Sequence, residues 1–147
     1  MTEISGAGDL SDRAAVHDLV VDFYREVVFD VRLEPLFGEV AEVDWSHHIP
    51  NLIDYWCRIL FLAPGYRGDV MAAHRHLHGL RSITSEDCDR WFGLWVSCVD
   101  GRWAGPHAAD AKAHAARLMA GMAKHLFGFT WTVPVAGARR GLTLPAG

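Results

Sequence analysis

An all-α fold is what this sequence predicts, and three observations predict it. Apolar residues recur at helical spacing in separate segments, most clearly Val16, Leu19, Val20, Phe23, Val27 and Cys88, Trp91, Phe92, Trp95, Val99. Both sets follow the i, i+3, i+4, i+7, i+11 pattern of one buried helical stripe. Residues that start helices stand ahead of such segments, at Ser11 or Asp12, Asp44, Asp69 and Thr84, where a short polar side chain can accept from an unpaired backbone N–H. Glycine and proline that stop helices stand behind them, at Ala63-Pro64-Gly65, Gly79 and Gly128.

Composition bounds what such a chain can be. At 147 residues it is most economically one domain, long enough to bury roughly two-thirds of its unfolded surface. Half the residues are apolar, 22% are charged, and six tryptophans and seven phenylalanines supply large buried surfaces, which argues against disorder. A net charge of −4 offers no basic footprint for nucleic acid. Glu3, Asp9 and Asp12 stand where a secretory signal would carry positive charge. The most apolar segment, 52–64, is too short to span a bilayer and holds Asp54 and Arg58, so no membrane span is expected. Cys57, Cys88 and Cys98 form neither an even disulfide set nor a CxxC pair, and read as free thiols in a reducing cytoplasm.

Taken in order, residues 1–10 are small and polar and are expected to fray. The first helix carries Tyr24 beside Phe23; read by itself, that tyrosine is a core-edge residue with its hydroxyl in water. Residues 31–37 read as a short helical turn, followed by Gly38 and an acidic loop through Glu39, Glu42 and Asp44. A second helix follows, adjusted at or beginning near Pro50, with His48, Leu52, Tyr55 or Trp56, and Ile59 along one face. Ala63-Pro64-Gly65 stops it. Asp69 then caps a short helix over 70–78 that Gly79 ends. On it Val70, Ala73, His74 and Leu77 share a stripe that turns His74 inwards, with His76 on the opposite side. Thr84-x-x-Asp87 resembles a capping box with Asp in place of Glu or Gln. Gly105-Pro106 opens an Ala-rich last helix whose apolar face is Ala111, Ala115, Leu118, Met119, Met122 and Leu126, ending at Gly128. Residues 128–147, with Pro134, Gly137, Arg139-Arg140, Gly141 and Pro145, are expected to form a mobile or surface-draped tail. There is no internal repeat and no second domain.

Two helices that present histidines, His48 and His74, with apolar and aromatic residues between them suit a buried flat cofactor. Haem iron needs a proximal imidazole on one face and a chosen environment on the other. Tyr24, His48, His74 and Trp91, one from each of four helices, stand out. They lie in the motifs D-F-Y-R-E-V, W-S-H-H-I-P-N-L-I-D-Y-W, Y-R-G-D-V-M-A-A-H and E-D-C-D-R-W-F-G-L-W, with L-E-P-L-F after the first. In this order the sequence resembles the group III truncated haemoglobins over about residues 12–127; the Gly-Gly pairs that mark the other truncated groups are lacking.

The resemblance implies a truncated globin domain over 1–127, folded as a two-over-two helical sandwich around haem. It implies His74 as proximal iron ligand, with His76 taking that place after a two-residue slip and His78 after a four-residue one. Tyr24, His48 and Trp91 would be the distal residues, and Phe23, Leu52, Tyr55 and Trp56 would line the pocket. Dioxygen, carbon monoxide or nitric oxide would bind at the sixth iron position, the distal side chains stabilising bound oxygen through hydrogen bonds. Redox chemistry on nitric oxide or peroxide would need an external reductase, since no flavin or nicotinamide motif is present; whether the protein is an enzyme stays open. Arg58, Arg67, Arg75 and His76 are candidates by position to meet the haem propionates. Two other readings stand beside this one. One is a haem-free helical interaction or sensor module. The other is a zinc protein using His74 and His78, for which no nearby Cys, Asp or Glu completes a tetrahedral set.

Overall fold

The computed structural model describes residues 7–134, and among them the regular elements are helical. α1 (Arg13–Val27), α2 (Trp45–Phe61), α3 (Val70–Leu80), α4 (Ser85–Arg102) and α5 (Pro106–Met122) follow in chain order. α1 packs on α2, α4 on α5, and the pairs meet through α1 against α4 and α2 against α5. This is the two-over-two arrangement expected. Phe23, Trp56, Trp95, Val99 and Ala115 fill the space between the pairs, each at most 2% exposed. α3 stands outside this sandwich, touching chiefly the turns at Leu36–Val40 and Ala123–Phe127.

The local starts are as the sequence predicts. Asp12 accepts from the Ala15 N–H at 2.9 Å, Asp44 from Ser46 at 3.0 Å and Asp69 from Ala72 at 3.0 Å. Thr84 and Asp87 form a full capping box, each side chain accepting the other's backbone N–H, at 3.2 and 2.9 Å. Aspartate is long enough to close it.

The stops differ more. α2 ends because Leu62 takes a left-handed conformation, φ 58°, before Ala63-Pro64-Gly65 is reached. Pro50 lies inside α2 rather than at its start; it has no N–H to give the Ser46 carbonyl one turn back. Gly79 does not end α3, which continues to Leu80 and stops where Arg81 turns extended. The turn after α1 passes through Gly38 to Val40, closed by a wide i→i+5 bond from the Ala41 N–H to the Leu36 carbonyl at 2.9 Å. Gly128 does end its segment, with φ 88°.

Two expectations at the chain ends need correction. Residues 8–10 are not frayed: Leu10 is fully buried, and the Gly8 carbonyl accepts from the Ala104 N–H at 2.8 Å. The start of the tail is anchored, because Trp131 is 5% exposed, lies edge-on to Phe92 and donates its indole N–H to Asp89 at 2.8 Å. Residues 1–6 and 135–147, with Gly137, Arg139-Arg140, Gly141 and Pro145, lie outside the described residues. No described helix is long and apolar enough to cross a membrane. Cys57 and Cys88 are buried free thiols and Cys98 is half-buried.

Candidate functional site

A cavity of about 170 Å³ lies between α3 and the sandwich. α1 contributes Tyr24, α2 contributes His48, Asn51, Leu52, Tyr55 and Trp56, α3 contributes Val70, Ala73, His74 and Leu77, and α4 contributes Trp91. Leu118, Met119 and Met122 of α5 complete the apolar surface. Of the residues singled out in the sequence, Tyr24, His48, Leu52, Tyr55, Trp56, His74 and Trp91 meet here. Phe23 does not: it is fully buried behind the wall, edge-on to Tyr24, Trp91 and Trp95. It lies one residue before Tyr24, and the helix turn of about 100° per residue carries it behind the wall here, whereas the adjacent Tyr55 and Trp56 both reach the cavity.

α3 explains itself only through this cavity. It buries none of its residues, although Val70, Ala73, His74 and Leu77 form an apolar stripe; that stripe faces the cavity rather than another helix. His74 Nδ1 lies 2.7 Å from the Val70 carbonyl oxygen. A carbonyl can only accept, so Nδ1 carries the hydrogen and Nε2 keeps its lone pair. Burial pushes the His74 pKa down, against the backbone bond, which keeps the ring neutral. A neutral imidazole with its distal nitrogen fixed by a backbone carbonyl is the form that ligates a metal. The neighbouring histidines are placed otherwise. His76 is exposed, and His78 accepts the Ile83 N–H on Nδ1 at 2.9 Å while leaning on Phe127.

Above this histidine the polar groups gather on one side. The Tyr24 hydroxyl and His48 Nε2 are 3.1 Å apart, so the tyrosine is not the water-facing residue its position suggested. Trp45 and Phe37 box the pair, with ring centroids 5.2 and 5.7 Å from Tyr24. Burial, then the His74 and His47 charges, push His48 down to about 4; burial pushes the Tyr24 phenol up. Both are therefore neutral hydrogen-bonding groups near pH 7. Trp91 stands half-buried, nearly parallel to Trp95 with centroids 5.9 Å apart.

Phe37, Asn51, Tyr66 and His114 were not singled out as site residues. Tyr55 and His114 are hydrogen-bonded at 2.6 Å across 59 positions, and only the fold joins them. A signal existed: His114 falls between Ala111 and Leu118 on the apolar face of its helix, an odd place for a polar residue. Arg58, Arg67, Arg75 and His76 are all exposed, and none lines the cavity. Among the described residues no three His, Cys, Asp or Glu side chains gather as a zinc site would require.

The donor set fits a largely apolar group carrying a metal: one neutral imidazole for the metal, aliphatic and aromatic side chains around it, and the neutral hydrogen-bonding groups of Tyr24 and His48. No protein-family model matches the chain, and no curated protein matches it by sequence. Among solved structures, the chain is similar to the crystal structure of group III truncated hemoglobin from Campylobacter jejuni. The TM-score is 0.70 at 18% identity, over 80% of this chain and 92% of that one. The fold the motifs implied is the fold observed: an all-α truncated-globin fold.

Proposed function

We propose that the cavity holds haem, with His74 Nε2 as the residue that would bind its iron, and that the protein binds dioxygen and other small diatomic molecules. The observation that carries this reading is His74 itself: a neutral imidazole whose Nδ1–H is tied to the Val70 carbonyl, on a helix whose apolar stripe faces the cavity. When bound, haem would supply an iron position open to a small ligand. Leu52, Trp56, Val70, Leu77 and Met119 exclude water from the macrocycle. Tyr24, His48 and Trp91 supply hydrogen-bond donors to the guest. His48 and Tyr24 already share one hydrogen bond. The phenol hydrogen is therefore available to a guest when His48 offers Nε2–H to the phenol oxygen, or when the imidazole turns away. Redox turnover on nitric oxide or peroxide is compatible with these donors and would draw electrons from a separate reductant.

Ultraviolet–visible spectra of the purified protein with haem test the reading, taken oxidised, reduced, and reduced with carbon monoxide, beside His74→Ala. An intense Soret band that shifts with carbon monoxide, and is lost or altered in the variant, is expected. Unchanged spectra in the variant would move the ligand to His76 or His78. A folded wild type that takes up no haem would leave the haem-free helical module as the reading.

A further inference from the structure

We propose that Tyr55, itself on the cavity wall, forms with His114 a proton-coupled one-electron donor site, joined to Trp91 on the same wall by a continuous run of aromatic rings. The run is read from geometry. Trp91 lies parallel to Trp95 at 5.9 Å between centroids, Trp95 stacks on Trp56 at 4.5 Å, and Trp56 meets Tyr55 edge-on at 5.5 Å. At the end of the run the Tyr55 hydroxyl lies 2.6 Å from His114 Nε2. The middle rings, Trp95 and Trp56, are at most 2% exposed, so a hole passing along them is shielded from water.

Indole and phenol are the side chains most readily oxidised by one electron, and contact between rings lets the electron move in short steps. Phenol holds the hole well only if its proton leaves with the electron, because a phenol radical cation is a very strong acid. His114 provides the place for that proton. Burial, then the Arg117 charge, lower the His114 pKa, and burial pushes Tyr55 up to about 12, so the resting pair is neutral phenol and neutral imidazole. The oxidant is a metal complex in an upper oxidation state, reduced by one electron at the cavity; that haem is its natural source rests on the function proposed above. The Tyr55 O–H bond breaks, one electron goes to the oxidant, and the proton forms an N–H bond at His114 Nε2. A neutral phenoxyl radical, an imidazolium and the oxidant one electron lower remain.

The hydrogen bond alone could simply tie α2 to α5, so the test separates the two roles. The full-length protein is oxidised with flash-generated tris(bipyridine)ruthenium(III), which requires no haem, and followed by transient absorption and electron paramagnetic resonance. A phenoxyl signal is expected in the wild type and is lost in Tyr55→Phe. His114→Gln keeps an acceptor beside the phenol but cannot take a full proton; in it the signal should form on the order of a hundredfold more slowly, with circular dichroism unchanged. No phenoxyl signal in the wild type, an undiminished signal in Tyr55→Phe, or an unchanged rate in folded His114→Gln would each overturn the proposal. The Soret experiment fails or succeeds separately, so the two readings fall independently.

Discussion

At the scale of single residues, chemistry is decided by who the neighbour is. Tyr24 and Trp91 are ordinary aromatic members of helical stripes until His48 and the cavity are placed beside them. If they donate to a guest carrying partial negative charge, each bond contributes about 1.5–3 kcal/mol. Tyr24→Phe and Trp91→Phe should then each speed oxygen release, by roughly tenfold to a hundredfold by the same energies, read by stopped-flow displacement. Unchanged rates in both would remove the hydrogen-bonding role. Asp30 makes the same point for stability. Desolvation raises its pKa, but the Leu33 N–H, the Arg90 guanidinium and the Arg32 N–H together outweigh burial and hold it below the ordinary 3.8. A lowered folded-state value means the stabilisation is complete above 3.8 and is lost as pH falls through the folded value. Asp30→Asn should lose about 1–3 kcal/mol near neutrality, and denaturant melts should show that difference shrinking below pH 4.

Elements are held by caps, and one of the caps is not local. Gly105 has no side chain with which to cap α5, and its φ is 136°. Asp9, almost a hundred residues earlier, does the work: its carboxylate accepts from the His107 and Ala108 N–H groups at 2.9 and 2.8 Å. A Cβ on Gly105 would come within 2.6 Å of the Asp9 carboxyl carbon. The glycine thus leaves room for a borrowed cap, which also draws the N-terminal stretch and buried Leu10 into the fold. Asp9→Ala should cost about 0.5–2 kcal/mol. Gly105→Ala, through displaced cap and strained φ, should cost about 1–3 kcal/mol. Thermal melts of the two variants and the double variant would show non-additive losses if the cap is shared, and simple addition if it is not.

For the whole molecule, two helix pairs make a self-sufficient sandwich and α3 closes a cavity against it. Among the last described residues, Trp131 packs onto that sandwich. Trp131 lies against Phe92 and donates to Asp89, so Trp131→Ala should destabilise by about 3–5 kcal/mol in urea denaturation. A loss below about 0.5 kcal/mol, typical of surface positions, would return this segment to a draped tail.

The sequence by itself determined what depends on neighbours a few residues away. Periodicity, Asp and Thr caps and the Thr84–Asp87 box are short-range physics, and they marked the helices and turned His74 inwards. The resemblance of the motifs around Tyr24, His48, His74 and Trp91 to a known family, rather than periodicity, pointed to one shared site. Stops were less legible: a left-handed Leu62 or a helix running through Gly79 depends on what the next segment must reach. Phe23 lies behind the cavity wall, which depends on how α1 docks and not on its own sequence position. Only the tertiary structure could bring His114 to Tyr55, Asp9 to the start of α5, Trp131 to Asp89, and the His74 face to a cavity. Each is a pairing across a loop of many residues, where the energy of contact is set by packing and leaves no periodic trace in the chain.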